Sequence, residues 1–156
     1  MRPLLTRLSL AAALLLVACA GAPPVPPVLP PHGPEALGHD LAIHAVGLVG
    51  TPYRWGGNTP DGGFDCSGLI AYVYRRQVGV VPPRTVAQMA DFGQAVDARS
   101  LRTGDLLVFG TDPAWHAGIY VGEGRFVHAP STGGTVRLDR LDSPYWSRQP
   151  WRVRRP

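Results

Sequence analysis

The residue with the clearest chemical potential is Cys66, which follows Asp65 and precedes Ser67 and Gly68. An aspartate placed just before a stretch of helical periodicity is typical of an N-cap, so the thiol is expected in the first turn of a helix. The unpaired backbone N–H groups of that turn favour thiolate over thiol and lower the pKa of a cysteine. The position therefore predicts a nucleophile, although a buried structural thiol fits the same position equally well.

Two histidines are candidates for the base that would activate this thiol. His116 and His128 fall on neighbouring predicted strands, joined by a glycine-rich turn at 122–124. A three-residue turn pairs His128 with Gly118, and the two imidazoles become diagonal neighbours on one face, about 7 Å apart. A two-residue turn at 123–124 points the rings to opposite faces.

A shared role for the two histidines therefore requires a particular geometry of the hairpin that joins their strands. It requires the three-residue turn, or a bulge within 117–127 that restores the same register. Both rings are then expected on the sheet face that packs against the start of the Cys66 helix. The sulfur of Cys66 should lie about 3 to 4 Å from the imidazole of His116, with His128 at the far edge of that ring.

The remaining pattern predicts the elements that position these residues. Apolar spacing indicates helices at 35–49 and from Asp65 to about Gly79, and Thr85 is expected to cap a short helix that ends at Met89. Short strands separated by glycine are predicted at 106–109, 116–121, 125–129, 135–138 and 151–154. Helices followed by antiparallel strands predict an α+β domain.

Several sequence blocks resemble those of the NlpC-type cell-wall peptidases. They are GTPYRWGG at 50–57, FDCSGL at 64–69, LRTGDL at 101–106, and HAGIYVG at 116–122 with FVHA at 126–129. They occur in the family's order and, together, cover most of 50–138. The resemblance implies a compact papain-like domain in which N-terminal helices pack on an antiparallel sheet of about five strands.

The same resemblance implies a role for each matching residue. Cys66 would be the nucleophile, His116 the general base and His128 the polar group that orients it, with an acyl-enzyme intermediate and no metal or cofactor. Tyr53 would stand near the oxyanion. Asp65 and Ser67 match residues that contact the free amine of a stem peptide in some members, and helix capping by Asp65 is an equal alternative.

The implied activity is a peptidoglycan endopeptidase, which is a thiol protease of the cell wall. Relatives cut either the D-glutamyl–diaminopimelate bond or the D-alanyl–diaminopimelate cross-link, and a small lipid-anchored domain favours the cross-link. Two other classes remain open: a non-catalytic envelope adaptor, and an acyltransferase that uses the same cysteine.

The N-terminal region predicts export and anchoring. Arg2 and Arg7 precede a short apolar run, and LVAC at 16–19 resembles a lipobox. We therefore expect a lipoprotein signal peptide at 1–18, acylation of Cys19 (including palmitate), a proline-rich spacer at 19–34 and a catalytic domain at 35–156. An ordinary signal peptide with a chance cysteine is the alternative.

Composition limits the partners of the chain. Of the 15 basic residues, Arg2 and Arg7 belong to the predicted signal, which leaves thirteen against 11 acids and a net charge of about +2. No stacked aromatics lie among basic residues, so nucleic acid is not an expected partner. We expect a monomer bound to peptidoglycan stem peptides and anchored through Cys19, on the outer membrane facing the periplasm in a host with two membranes.

Overall fold

The computed structural model describes residues 33–131 and 134–156. The predicted signal peptide, Cys19 and nearly all of the spacer lie outside the described residues. The helices are α1 (Pro34–Gly47), α2 (Cys66–Val78) and α3 (Val86–Met89). The strands are β1 (Asn58–Thr59), β2 (Gly63–Phe64), β3 (Gln94–Val96), β4 (Leu106–Phe109), β5 (His116–Gly122), β6 (Arg125–His128), β7 (Arg137–Arg140) and β8 (Trp151–Arg155). No described helix has the length and apolarity needed to cross a membrane.

Helix α2 begins and ends where the sequence predicts. Asp65 has extended backbone angles, and its carboxylate accepts a hydrogen bond from the backbone N–H of Gly68 at 2.7 Å. Gly79 closes the helix with a left-handed φ of 69°, a conformation that costs glycine little. The cap fixes Cys66 as the first helical residue.

Helix α1 starts at Pro34, whose missing N–H would have had no partner in the first turn. It ends at Gly47, two residues before the predicted end. Gly38 lies against the turn before β4, since a Cβ there would be 2.2 Å from the carbonyl oxygen of Thr103. The absence of a side chain therefore lets α1 dock directly on that turn.

The main sheet has six strands in the order β3-β8-β4-β5-β6-β7, and every neighbouring pair is antiparallel. The α+β prediction is confirmed, with one strand more than expected. The additional strand is β3, whose residues are exposed or half-buried and show no apolar alternation from which it could be predicted.

The sheet separates two buried clusters. The first contains helix residues such as Leu69 and Ile70, packed against strand residues such as Ala117, Ile119 and Val127. The second lies with the other strand residues, and it consists of Leu107, Phe109, Phe126, Trp146 and Val153. Each face of the central strands is therefore covered, and burial of both faces is the main source of stability.

Strand β7 differs from its predicted range of 135–138. Thr135 forms an isolated bridge with Pro52, and Val136 donates its N–H to the carbonyl of Thr51 at 2.7 Å. Residues 135–136 are therefore paired with the loop before α2. Pairing with β6 starts at Arg137 and continues to Arg140.

The β5–β6 hairpin combines a two-residue turn with a bulge. Gly122 pairs with Arg125, and Glu123 and Gly124 both have positive φ, as a type I′ turn requires. Tyr120 pairs with Phe126, so Val121 is the extra residue that shifts the register. The bulge was one of the two arrangements that a shared histidine face demanded.

Candidate active site

The start of α2 is held by a loop of glycines. Asp65 donates its N–H to the carbonyl of Gly57 at 3.1 Å and accepts the N–H of Gly56 at 2.9 Å. A Cβ at Gly68 would lie 2.0 Å from the carbonyl oxygen of Gly57. Glycine at this helical position therefore allows the loop to fold against the turn that carries Cys66.

The environment of Cys66 differs from the sequence expectation. Burial raises the pKa of the thiol, and the carboxylate of Asp65 raises it further. The backbone N–H groups of Ser67, Ala117 and Cys66 itself oppose this change, but the net direction is upward. The prediction of a lowered pKa was wrong because burial and a neighbouring negative charge outweigh the field of the helix N-terminus.

His116 and His128 form a hydrogen-bonded pair. Nε2 of His116 and Nδ1 of His128 are 2.8 Å apart, and the rings meet edge to face with centroids at 5.0 Å. Both side chains are buried. The bulge at Val121 brings the rings to one face, so this part of the prediction is confirmed.

The face itself is not the predicted one. The ring of His116 lies 6.0 Å from that of Phe109 and 5.4 Å from that of Trp146, which belong to the cluster away from the helices. Side chains alternate along β5, and Ala117 is directed to the helices. His116 must therefore point the other way.

One contact joins the cysteine to the histidine strand. The backbone N–H of Ala117, the residue after His116, is near enough to the thiol of Cys66 to oppose the rise in its pKa. Among the described residues, no hydrogen bond links the sulfur to the ring of His116, and the expected distance of about 3 to 4 Å between them stays a prediction. Nε2 of His116 is hydrogen-bonded to His128, so Nδ1 is the ring nitrogen that could accept the proton of the thiol.

Both imidazoles are neutral at neutral pH. Burial lowers the pKa of His116 to about 3, and the nearby His128 lowers it as well. Burial also lowers the pKa of His128 to about 4, against the attraction of Asp139. A neutral imidazole keeps the lone pair that a general base needs.

Cys66 opens onto a groove of about 460 Å³. Trp55 and Trp115 form exposed apolar walls, and Tyr53 and Arg84 supply polar groups. A larger cleft of about 640 Å³ lies beside α1 and contains none of the reacting residues. The groove at Cys66 is therefore the site that a peptide chain could reach.

The profile of the NlpC/P60 family matches residues 50–155, which is more than half of the chain. The chain belongs to the NlpC/P60 family. This confirms the resemblance of the motif blocks.

Similarity to individual NlpC/P60 proteins agrees with that membership. The probable endopeptidase YafL of Escherichia coli (strain K12) is 43% identical over 113 residues, or 69% of this chain and 45% of YafL. The murein DD-endopeptidase MepH of the same organism is 42% identical over 105 residues, or 64% of this chain and 39% of MepH. The chain thus spans less than half the length of these curated relatives. The crystal structure of the NlpC/p60 domain of peptidoglycan hydrolase SagA aligns with a TM-score of 0.68 and 31% identity over 76% of this chain and 98% of that domain.

Arg84 is a polar residue of this NlpC/P60 site that sequence reasoning missed. Its two terminal nitrogens each lie 2.8 Å from one oxygen of Asp65, and it also donates to the hydroxyl of Ser67. Burial alone would raise the pKa of Asp65, but hydrogen bonds from Arg84, Gly68 and Ser67 lower it. The one sequence signal that could have pointed to Arg84 is its position just before α3.

The structure brings Tyr53, Asp65 and Ser67 together with Cys66 in the groove. The pKa of Tyr53 is raised by partial burial and by its closeness to Cys66 and Asp65, so its hydroxyl stays a hydrogen-bond donor. The capping role of Asp65 is confirmed by its bond to Gly68.

Asp139 is a second residue that sequence reasoning missed. Its Oδ2 lies 3.0 Å from Nε2 of His128 and accepts from Arg137 and from the indole of Trp146, each at 2.7 Å. At this distance the carboxylate of Asp139 acts to raise the pKa of His128. Asp139 falls one residue beyond the predicted end of its strand, and for that reason its closeness to His128 was not foreseen.

Proposed function

We propose that this chain is a peptidoglycan endopeptidase that uses Cys66 as nucleophile and His116 as general base. The observation that carries the proposal is the position of Cys66 at the start of α2, in an open groove and on the helix that packs against the strand that begins with His116. MepH is a murein DD-endopeptidase, SagA is a peptidoglycan hydrolase and YafL is a probable endopeptidase, and these relatives support a peptidoglycan hydrolase with an envelope location.

The first half of the reaction makes a thioester. As the sulfur of Cys66 attacks the carbonyl carbon of the peptide, its proton passes to Nδ1 of His116. The tetrahedral intermediate then collapses, the C–N bond breaks, and His116 gives the proton to the leaving amine.

The second half releases the acid. Water attacks the thioester carbonyl while His116 takes one of its protons, and the C–S bond breaks. That proton returns to the sulfur, so the neutral thiol and the neutral imidazole are both restored.

The negative charge of each tetrahedral intermediate needs donors. We assign this role to the backbone N–H of Cys66 at the helix N-terminus and to the hydroxyl of Tyr53, which remains protonated.

Asp65 and Ser67 act mainly on the protein itself. The carboxylate of Asp65 is occupied by Arg84 and by α2, so a substrate amine would have to displace a guanidinium. This favours the D-alanyl–diaminopimelate cross-link, because cleavage between two stems does not depend on recognition of a free stem-peptide amine. The name of MepH, a murein DD-endopeptidase, supports the same bond.

The setting of the enzyme follows from its N-terminal sequence. Acylation of Cys19 and the spacer at 19–34 would tether the domain at 35–156 to a membrane of the cell envelope, as a monomer facing the wall.

Digestion of purified sacculi tests the function. The soluble domain should release fragments whose masses identify the broken bond, and Cys66→Ala should release none while keeping the same circular dichroism. A thiol alkylator should abolish release, whereas a metal chelator should not. Binding of sacculi without release would indicate an adaptor, and transfer of the acyl group to an added amine would indicate an acyltransferase.

A further inference from the structure

A buried chain of three polar side chains ends at the proposed base. His116 contacts His128 at 2.8 Å, and His128 contacts Asp139 at 3.0 Å. The His128 side chain is fully buried, and its Nε2 has no other polar partner among residues 33–131 and 134–156. The carboxylate of Asp139 is the charged group in contact with this nitrogen, so it has the strongest influence on which ring nitrogen carries the proton.

The carboxylate fixes where each proton sits. A lone pair on Nε2 of His128 would face the negative Oδ2 of Asp139, so a neutral His128 keeps its proton on Nε2 and presents a lone pair on Nδ1. Nε2 of His116 must then donate to that lone pair. The free lone pair of His116 is left on Nδ1, the atom that the thiol needs.

We propose that Asp139 is a positioning residue of this site, which sets the tautomers of His128 and His116 and stabilises the imidazolium formed when Cys66 gives up its proton. The proposal rests on the function proposed above. Asp139 touches neither the substrate nor the sulfur and acts only through His128.

The charged groups around the histidines give the proposal a distinctive sign. Asp139 raises the pKa values of His116 and His128, and Arg137 lowers both. Arg137 is half-exposed and bonded to Asp139 itself. Removing the carboxylate of Asp139 should therefore lower the pKa values of the two imidazoles, and removing the guanidinium of Arg137 should raise them. A general destabilisation of β7 cannot produce these opposite shifts.

The test compares Asp139→Asn with Arg137→Gln. In Asp139→Asn we expect kcat on cross-linked muropeptide to fall roughly tenfold to a hundredfold, with KM within about twofold. In Arg137→Gln we expect the acid limb of the kcat/KM profile to move to higher pH, and in Asp139→Asn to lower pH. Asp142→Asn, which breaks the exposed pair with Arg140, is the matched control and should change neither.

A second measurement does not depend on activity. Long-range ¹H–¹⁵N spectra of the histidine rings should show Nε2–H tautomers for His116 and His128 in the parent chain, and mixed tautomers in Asp139→Asn. Unchanged tautomers and kcat in a folded Asp139→Asn would overturn the proposal, as would acid limbs that move in the same direction. A parent chain that is inactive on every muropeptide but shows the expected tautomers would instead count against the proposed function alone.

Discussion

The two groups proposed to react are both uncharged at neutral pH. Burial raises the pKa of Cys66 and lowers that of His116, so no ion pair forms between a thiolate and an imidazolium. Charge then develops only when the sulfur attacks. A neutral thiol is also slower to oxidise than a thiolate.

This state predicts how Cys66 reacts with a small alkylating reagent. Iodoacetamide should modify the free protein slowly at pH 7. The rate should continue to rise at pH values above the pKa of an ordinary cysteine. Mass spectrometry of samples quenched between pH 6 and 10 measures the rate. A rate that is already maximal at pH 6 would show a stable thiolate.

Removing the neighbouring charge provides a control. Asp65→Asn deletes the carboxylate that raises the thiol pKa, so its alkylation profile should move to lower pH. Asp97→Asn lies on an exposed 3₁₀ turn far along the chain and should leave the profile unchanged.

The sequence revealed residues that carry local signals and missed those that act through tertiary contact. Cys66 could be found because an N-cap, small neighbours and a single domain thiol mark it together. Asp139 and Arg84 reach the site from β7 and from the segment before α3, and no local periodicity reports that closeness. The rise in the Cys66 pKa was missed for the same reason, since burial is a property of the folded chain.

At the scale of elements, the β5–β6 hairpin decides whether the two histidines can meet. Either a three-residue turn or a bulge can place both imidazoles on one face of the sheet, and the structure has the bulge at Val121. The choice between them depends on turn energetics: Glu123 and Gly124 form a favoured type I′ turn, and the extra residue moves into the strand.

Gly118 is the position where this hairpin is most sensitive. A Cβ there would lie 2.7 Å from Cδ2 of Phe126, 3.0 Å from the carbonyl oxygen of Val127 and 3.3 Å from Cβ of His128. Gly118→Ala should therefore separate the two rings and lower kcat about tenfold or more, with a loss of about 1–3 kcal/mol in the free energy of unfolding. Steady-state kinetics and urea unfolding measure both.

A glycine with free space is the matched control. Gly47→Ala at the end of α1 places its Cβ at least 4 Å from any other group, so activity should be unchanged and stability equal or slightly higher. If Gly118→Ala is as active as Gly47→Ala, close packing of the histidine pair is not needed for catalysis.

At the scale of the whole molecule, burying two neutral histidines couples folding to pH. Both pKa values are depressed in the folded chain, to about 3 and about 4 for His116 and His128, so only the unfolded chain binds protons between about pH 6.5 and 4. The free energy of unfolding should be level near pH 7 and fall below about pH 6.5, by up to about 1.4 kcal/mol per pH unit for each histidine.

Urea unfolding at pH 7, 6 and 5 measures this slope. His128→Gln should make the slope shallower, whereas His39→Gln, at an exposed position of α1, should preserve it. A slope that is the same in the parent chain and in His128→Gln would show that the buried pair does not control acid stability.

The predicted acylation of Cys19 would determine where the whole molecule is held. Cys19→Ser should move the protein from the membrane fraction to the soluble fraction without reducing the activity of the domain, because the acyl chains would supply the anchoring. Fractionation followed by a sacculus assay measures both, and Cys66→Ala should stay with the membrane. Retention of Cys19→Ser on the membrane would place the anchor elsewhere.

The position of β8 in the sheet has a consequence for how the domain is made. Although β8 comes after every other strand in the chain, it lies between β3 and β4 and contributes Arg155, whose guanidinium makes a two-point ion pair with the buried Asp105. During synthesis, β4 keeps an open edge and Asp105 lacks its partner until residues 151–155 have emerged. The sheet that carries the histidine hairpin therefore cannot be completed before the last residues of the chain are made. A ribosome-stalled or truncated chain that ends before Trp151 should be prone to aggregation and inactive.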